Sequence, residues 1–112
     1  MSDESKKYLL DILQAISFIE IFKYNKRSFS EYKKDFKTKF AIERNIEIVG
    51  EAMNNLIKLN PEIPISYARK IVNVRNRIIH SYDAIDDNII WEIINTHLNT
   101  LKKEVEVLLE TE

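Results

Sequence analysis

The run RNRIIHSY, residues 75–82, sets a guanidinium (Arg75), an imidazole (His80) and a phenol (Tyr82) within eight residues. Arginine is a permanent bidentate phosphate donor, histidine titrates nearest neutrality, and tyrosine offers a hydroxyl that can act or be modified. Together these groups can hold a phosphate and move a proton beside it. Competing chemistries lack their residues: there is no glycine-rich phosphate loop, no HExxH or Cys/His metal spacing, no GxSxG and no strand–turn–helix context for a dinucleotide. With no cysteine there is also no disulfide, thiolate metal site or cysteine nucleophile. Proton transfer without metal or cofactor is the chemistry that remains.

The elements that must position these groups read as helices. A chain of 112 residues with 45% hydrophobic content buries one core, which predicts a single domain spanning 1–112. One glycine and two prolines are too few for the turns of a β fold, so the expected class is all-α, an up-and-down bundle of four to five helices. The first helix is predicted over about Glu4 to Phe22, with Leu9, Leu13, Ile16 and Ile19 at helical spacing and Ile12 and Phe22 widening the stripe. Phe18 and Ile21 fall outside it, a second apolar surface that suggests a subunit partner. Ser28 and Glu31 have capping-box spacing for one short helix. A long helix follows over about Thr38 to Leu59, with Ile42, Ile46, Val49, Met53 and Leu56 inward, and Pro61 and Pro64 end it. A third long helix covers about Ser66 to Tyr82. The last starts at Asp86 or Asp87 and presents Ile89, Ile90, Ile93, Ile94, Leu98, Leu101, Val105 and Leu108, while His97 reads as structural.

Helical geometry then constrains the chemistry. Ala68, Ile71, Val72, Ile79 and Tyr82 fall within about 60° of Arg75, which places Arg75 in mid-stripe. A buried arginine needs a partner, and Glu51, beside the only glycine (Gly50), is the obvious partly buried carboxylate. Gly50 costs about 1 kcal/mol in a helix interior relative to alanine, which a close backbone approach would explain. Arg44, Glu47 and Glu51 share one face and read equally well as an exposed stripe with a weak ion pair. His80 lies about 140° around from Arg75 and stacks over Asn76. One continuous helix cannot aim both at one phosphate. Either the helix ends before His80, or a second subunit supplies the missing group across a symmetric interface. Read alone, His80 is also a residue suited to a helix C-terminus, and Tyr82 a core phenol.

A net charge of -1 gives no whole-protein attraction to nucleic acid, so binding must rest on local groups: Arg69, Lys70, Arg77 and the basic segment Lys23 to Lys39. No apolar run approaches the roughly 20 residues needed to cross a bilayer, and the start has no signal-peptide core, so a cytoplasmic location is expected.

The stretches AIERNIEIVGEAMNNL (Ala41 to Leu56) and IPISYARKIVNVRNRIIHSYDAIDDNIIWEII (Ile63 to Ile94) resemble the HepT-like toxins of the HEPN superfamily. Arg75, four intervening residues, His80, Ser81 and Tyr82 are similar to that family's RX4HXY motif, and the Gly50–Ala52 triplet and Asn76 agree with it. Tyr67 stands where many relatives carry tryptophan, and Asn73-Val74 where a glycine and an aliphatic residue are frequent. The resemblance implies a homodimeric, metal-independent endoribonuclease, the toxin of a type VII-like toxin–antitoxin system. Arg75 would polarise the scissile phosphate of an RNA, His80 would transfer protons to or from the reacting oxygens, and Asn76 would orient His80 or the phosphate. It also implies an MntA-type minimal nucleotidyltransferase partner that transfers AMP to Tyr82. Two other readings stand beside it: a non-catalytic helical module that binds nucleotide or docks a nucleotidyltransferase, and a structural dimer in which Arg75 is a salt-bridged core residue.

Overall fold

The structure is a computed structural model that describes residues 1–26, 28–80 and 86–111. Its helices are α1 (Asp3–Lys23), α2 (Phe29–Lys34), α3 (Phe36–Leu59), α4 (Ala68–His80), α5 (Asp87–Glu92) and α6 (Leu98–Glu110), with a π-helical turn, Ile93–His97, joining the last two into one rod. Among the described residues there is no strand. Four of the starts are chemically marked. Ser2, Ser28, Asp35 and Asp86 accept from the backbone N–H of Ser5, Glu31, Thr38 and Asn88, satisfying donors that a helix leaves orphaned. At α2 the Ser28 hydroxyl also lies 3.3 Å from Glu31 Oε1. The long helix begins at Phe36, two residues ahead of expectation, because Asp35 is its cap.

α3 is the hub, packed against α1 on one side and α4 on the other, while α6 closes on α1. A groove pairs the start of α1, at Lys7, Tyr8 and Asp11, with the later part of α3, Arg44 to Asn55. Since Lys23 joins Phe36 through one short helix, α1 and α3 run in opposite directions. The core is aliphatic. Leu9, Ile12, Ile16 and Ile19 meet Ile42, Ile46, Val49, Met53 and Leu56, with Ile71, Ile90, Ile93, Leu101 and Val105 behind them. Burying each such side chain contributes roughly 1.5–3 kcal/mol. Phe18 and Ile21 are exposed as expected, but so is Phe22, and Ala15 takes an inward place instead.

The closing rod is not the uninterrupted helix that periodicity predicts. At the π turn the Leu98 N–H reaches back five residues to Ile93 O, so that Ile93, Ile94 and Leu98 are all buried. Lys23 Nζ, 3.4 Å from Ile94 O, supports the wide turn from α1. The same turn brings His97 within 3.5 Å of Glu92 Oε1 and stacks its ring on Tyr67 at 4.1 Å. His97 is thus held between an acidic and an aromatic neighbour. On the other flank, Trp91 holds α2 through Tyr32, at 5.3 Å between ring centroids, and Phe29.

Gly50 sets how closely α3 and α4 approach. A Cβ built there would overlap Arg75 Cβ and lie 2.9 Å from Arg75 Cγ and 3.0 Å from Ile71 O. These are atoms on or next to a helix backbone, which cannot swing aside. Gly50→Ala is therefore expected to destabilise: overpacking of about 1–3 kcal/mol outweighs the roughly 1 kcal/mol of helix propensity gained. Urea denaturation checks this, and a raised midpoint would contradict it.

Asp35 gives a pH-dependent contribution. Its carboxylate accepts from Lys26 Nζ at 2.8 Å, Thr38 N at 3.1 Å and Thr38 Oγ1 at 2.9 Å. The Lys26 bond first, then the Thr38 bonds, hold it well below the usual carboxylate range. A depressed folded-state value stabilises above the unfolded value, about pH 3.9, and the contribution disappears as pH falls through the folded one. Asp35→Asn is expected to lower stability at pH 7 and to flatten its decline between pH 7 and pH 3, read by urea titrations at both. An unchanged decline would contradict this.

Candidate functional site

Arg75 sits at the seam between α3 and α4, its stem over the bare Cα of Gly50. The buried side of α4 is made by Ala68, Ile71 and Val74, whereas Ile79 is exposed. On the wheel Arg75 still falls between Ala68 and Ile71, inside the buried arc and about 40° from its centre. The consequence is a buried stem with a head that reaches the surface; the side chain is 20% exposed. One guanidinium nitrogen donates to Glu51 Oε2 and another to Asn76 Oδ1 at 2.8 Å, while Nε is buried without a partner among the described residues.

The expected Glu51–Arg75 pair forms, but Glu51 is not partly buried: its side chain is 53% exposed. Gly50 faces α4, so the next residue points about 100° further round α3 and reaches back to the arginine from solvent. Such a pair is worth about 0–1 kcal/mol, far less than a buried one. Arg44 and Glu47 form the weak intrahelical pair at 3.2 Å. Asn76 holds Arg75, not His80.

α4 runs unbroken through His80. An earlier helix end does not occur, so His80 stays about 140° from Arg75. It is exposed and has no partner among the described residues. On the same wheel Arg69, Asn73, Asn76, Arg77 and Lys70 fall within about 80° of His80, and all are exposed. No carboxylate pairs with Arg69, Lys70 or Arg77 among the described residues; Lys70 Nζ lies over the Tyr67 ring at 5.9 Å. The solvent face of α4 is thus a strip of amides and of cations that no described carboxylate neutralises, with an imidazole at its end. Periodicity could have found this strip, had the helix been read from its polar side.

Part of the Lys23–Lys39 segment is engaged within the fold, while Lys33, Lys34 and Lys37 stay exposed and Arg27 lies outside the described residues. Lys23 supports the π turn, Lys26 pairs with Asp35, and Lys39 is buried against Asp87 at 2.9 Å. Tyr82 lies outside the described residues. Among the described residues no three His, Asp or Glu side chains gather in a metal-holding arrangement, and no helix is long and apolar enough to cross a membrane.

Comparison with known proteins assigns the chain to a family. The HepT-like family, described as ribonuclease HepT-like, matches residues 12–108. A chain of Thermococcus cleftensis named "probable ribonuclease HepT" is 36% identical, covering 96% of this chain and 98% of its own. One from Methanocaldococcus jannaschii, whose name places it among the RNases, is 35% identical over 94% and 87%. In fold, the chain is similar over the full length of both to a chain of the solved complex of tri-AMPylated Shewanella oneidensis HEPN toxin with MNT antitoxin, with a TM-score of 0.75 at 19% identity. From the family match across residues 12–108 and the near full-length relative, the chain belongs to the HepT-like ribonuclease family.

Proposed function

We propose that this protein is the toxin of a type VII-like toxin–antitoxin pair and cleaves RNA, without a metal, at a site composed across a homodimer. The observation that carries the reading is the division of α4. Arg75 stands at the α3 seam, and His80 lies well round the helix at the end of the cationic strip. Since one helix cannot turn both toward one phosphate, Arg75 of one copy serves with His80 of the other.

RNA brings its own nucleophile, so positioned charge and proton transfer suffice. Arg69, Lys70 and Arg77 hold flanking phosphates. Arg75 neutralises charge developing on the non-bridging oxygens of the scissile phosphate. His80 takes the 2'-hydroxyl proton or protonates the departing 5'-oxygen. The P–O5' bond breaks as the O2'–P bond forms, leaving a 2',3'-cyclic phosphate and a 5'-hydroxyl. Asn76 fixes the guanidinium, and Glu51 holds it until a phosphate takes its place.

Neutralisation is assigned to an MntA-type minimal nucleotidyltransferase that transfers AMP to Tyr82, two residues past His80. Added bulk and negative charge there oppose RNA by sterics and repulsion. The tri-AMPylated Shewanella toxin, solved with its MNT antitoxin, supports both the modification and the partner. The Glu51–Arg75 pair favours a second reading, a structural dimer in which Arg75 only joins two helices.

Subunit complementation separates the two. Arg75→Ala and His80→Ala homodimers are each expected to lose RNA cleavage and growth inhibition with fold and dimer intact. Co-refolded at equal ratio, they should recover about one quarter of wild-type activity, since half the dimers are mixed and each keeps one of two sites. No recovery in a demonstrated heterodimer would overturn the composite site. Cleavage undiminished in His80→Ala would overturn the catalytic assignment.

A further inference from the structure

Glu51 belongs to two places at once. Its carboxylate takes Arg75, and it also lines the groove between α1 and α3, with Lys7, Tyr8, Arg44, Glu47 and Asn55 among its walls. The groove holds about 410 Å³, within the roughly 300–1,000 Å³ of small-ligand clefts. Its cations are already spent. Lys7 pairs with Asp11 at 2.9 Å and Arg44 with Glu47 at 3.2 Å, each along its own helix. Two cations against three carboxylates give a phosphate no net attraction there. What the groove does offer is a flat surface and acceptors. The half-buried Tyr8 has its hydroxyl on Glu4 at 3.3 Å, outside the groove, and Lys7 Nζ 5.4 Å from its ring centroid. The carboxylates of Asp11, Glu47 and Glu51 are acceptors only. The Asn55 amide meets no partner among the described residues and can both donate and accept.

A neutral planar ring carrying an exocyclic amine fits these walls. Bases stack on tyrosine irrespective of sequence, whereas carboxylates accept from amino groups such as cytosine N4. Uracil has no exocyclic amine, and its one ring donor, N3–H, is flanked on both sides by carbonyl oxygens that a carboxylate repels. We propose that the α1–α3 groove is a base-binding subsite that takes an amino-bearing nucleobase, adenine, guanine or cytosine, next to the phosphate held by Arg75, and that it discriminates against uracil. The proposal rests on Arg75 being a phosphate ligand. The groove lies one side chain from that guanidinium, so the base attached to a nucleotide bound there is the one within reach.

The test uses binding, so that it does not depend on cleavage. Fluorescein-labelled 2'-O-methyl RNA pentamers of adenosine, cytidine or uridine, which lack the free nucleophile, are titrated against the full-length wild type at fixed salt. The adenosine and cytidine pentamers are expected to bind roughly tenfold tighter than the uridine pentamer, the scale of one hydrogen-bonded base edge. Glu47→Gln, which replaces one acceptor oxygen with a donor, should narrow that gap by improving uridine binding. Tyr8→Leu should weaken all three together. Thermal melting confirms that both variants are folded. Equal affinities, a gap untouched by Glu47→Gln, or no binding of any pentamer would overturn the subsite. Failure of the nuclease reading appears separately, as unmodified RNA left uncut by a protein that still prefers adenosine and cytidine pentamers.

Discussion

The contact of the Gly50 backbone with the stem of Arg75 and the carbonyl of Ile71 sets the rest of the molecule. Without a Cβ at Gly50, α3 and α4 come together until an arginine stem fills the space a side chain would have taken. That spacing fixes the rotation of α4. Ala68, Ile71 and Val74 turn into the core, and the guanidinium emerges at the edge of the seam beside Glu51 and Asn76. The opposite side of α4 is then committed to solvent, where Arg69, Lys70, Arg77 and His80 collect. One close approach thus divides the motif between a seam and an open face.

The remaining charges mostly serve architecture. Lys39 and Asp87 form the most buried ion pair among the described residues, tying the start of α5, shortly after the motif, to α3. Around it, burial and then the Asp87 charge push the Glu43 carboxyl up, and burial followed by Glu43 and Asp87 pushes the Tyr32 phenol up. The Tyr32 hydroxyl is fully buried and has no partner among the described residues. Removing one member of such a pair strands the other in a poorly solvated place, so these charges are costly to lose and contribute little to a surface field. A chain of net charge -1 can thus present a cationic strip: carboxylates take up Lys26 and Lys39, while no described carboxylate pairs with Arg69, Lys70 or Arg77.

Much of this was legible from residue spacing. The inward residues of α3 and of the closing rod follow from a 3.6-residue period, and the caps at Ser28 and Asp86 follow from residue type and position. Gly50 announced a close approach because glycine in a helix interior otherwise only destabilises. Three features were not legible. The π turn adds one residue to a turn without breaking the apolar pattern, so Ile93 and Leu98 read as ordinary core positions. The buried centre of α4 was misplaced towards Ile79, since a helix of many cations has few apolar residues from which to locate its stripe. Phe22 reads as core, but nothing packs over that end of α1 sufficiently to bury it.

For the site, residue order along one helix already determined that Arg75 and His80 diverge, because successive side chains rotate by about 100° whatever surrounds them. That an arginine suited to a phosphate and a histidine suited to proton transfer stand in one short run was likewise readable from residue type. Only the tertiary structure decided that α4 continues through His80, that Glu51 holds the arginine from solvent, and that Lys23, Lys26 and Lys39 are taken up within the fold. Each depends on what a neighbouring helix places within a few ångströms. Helical rotation is a local property written residue by residue, whereas a charge's partner and its exposure are set by elements far away in the chain.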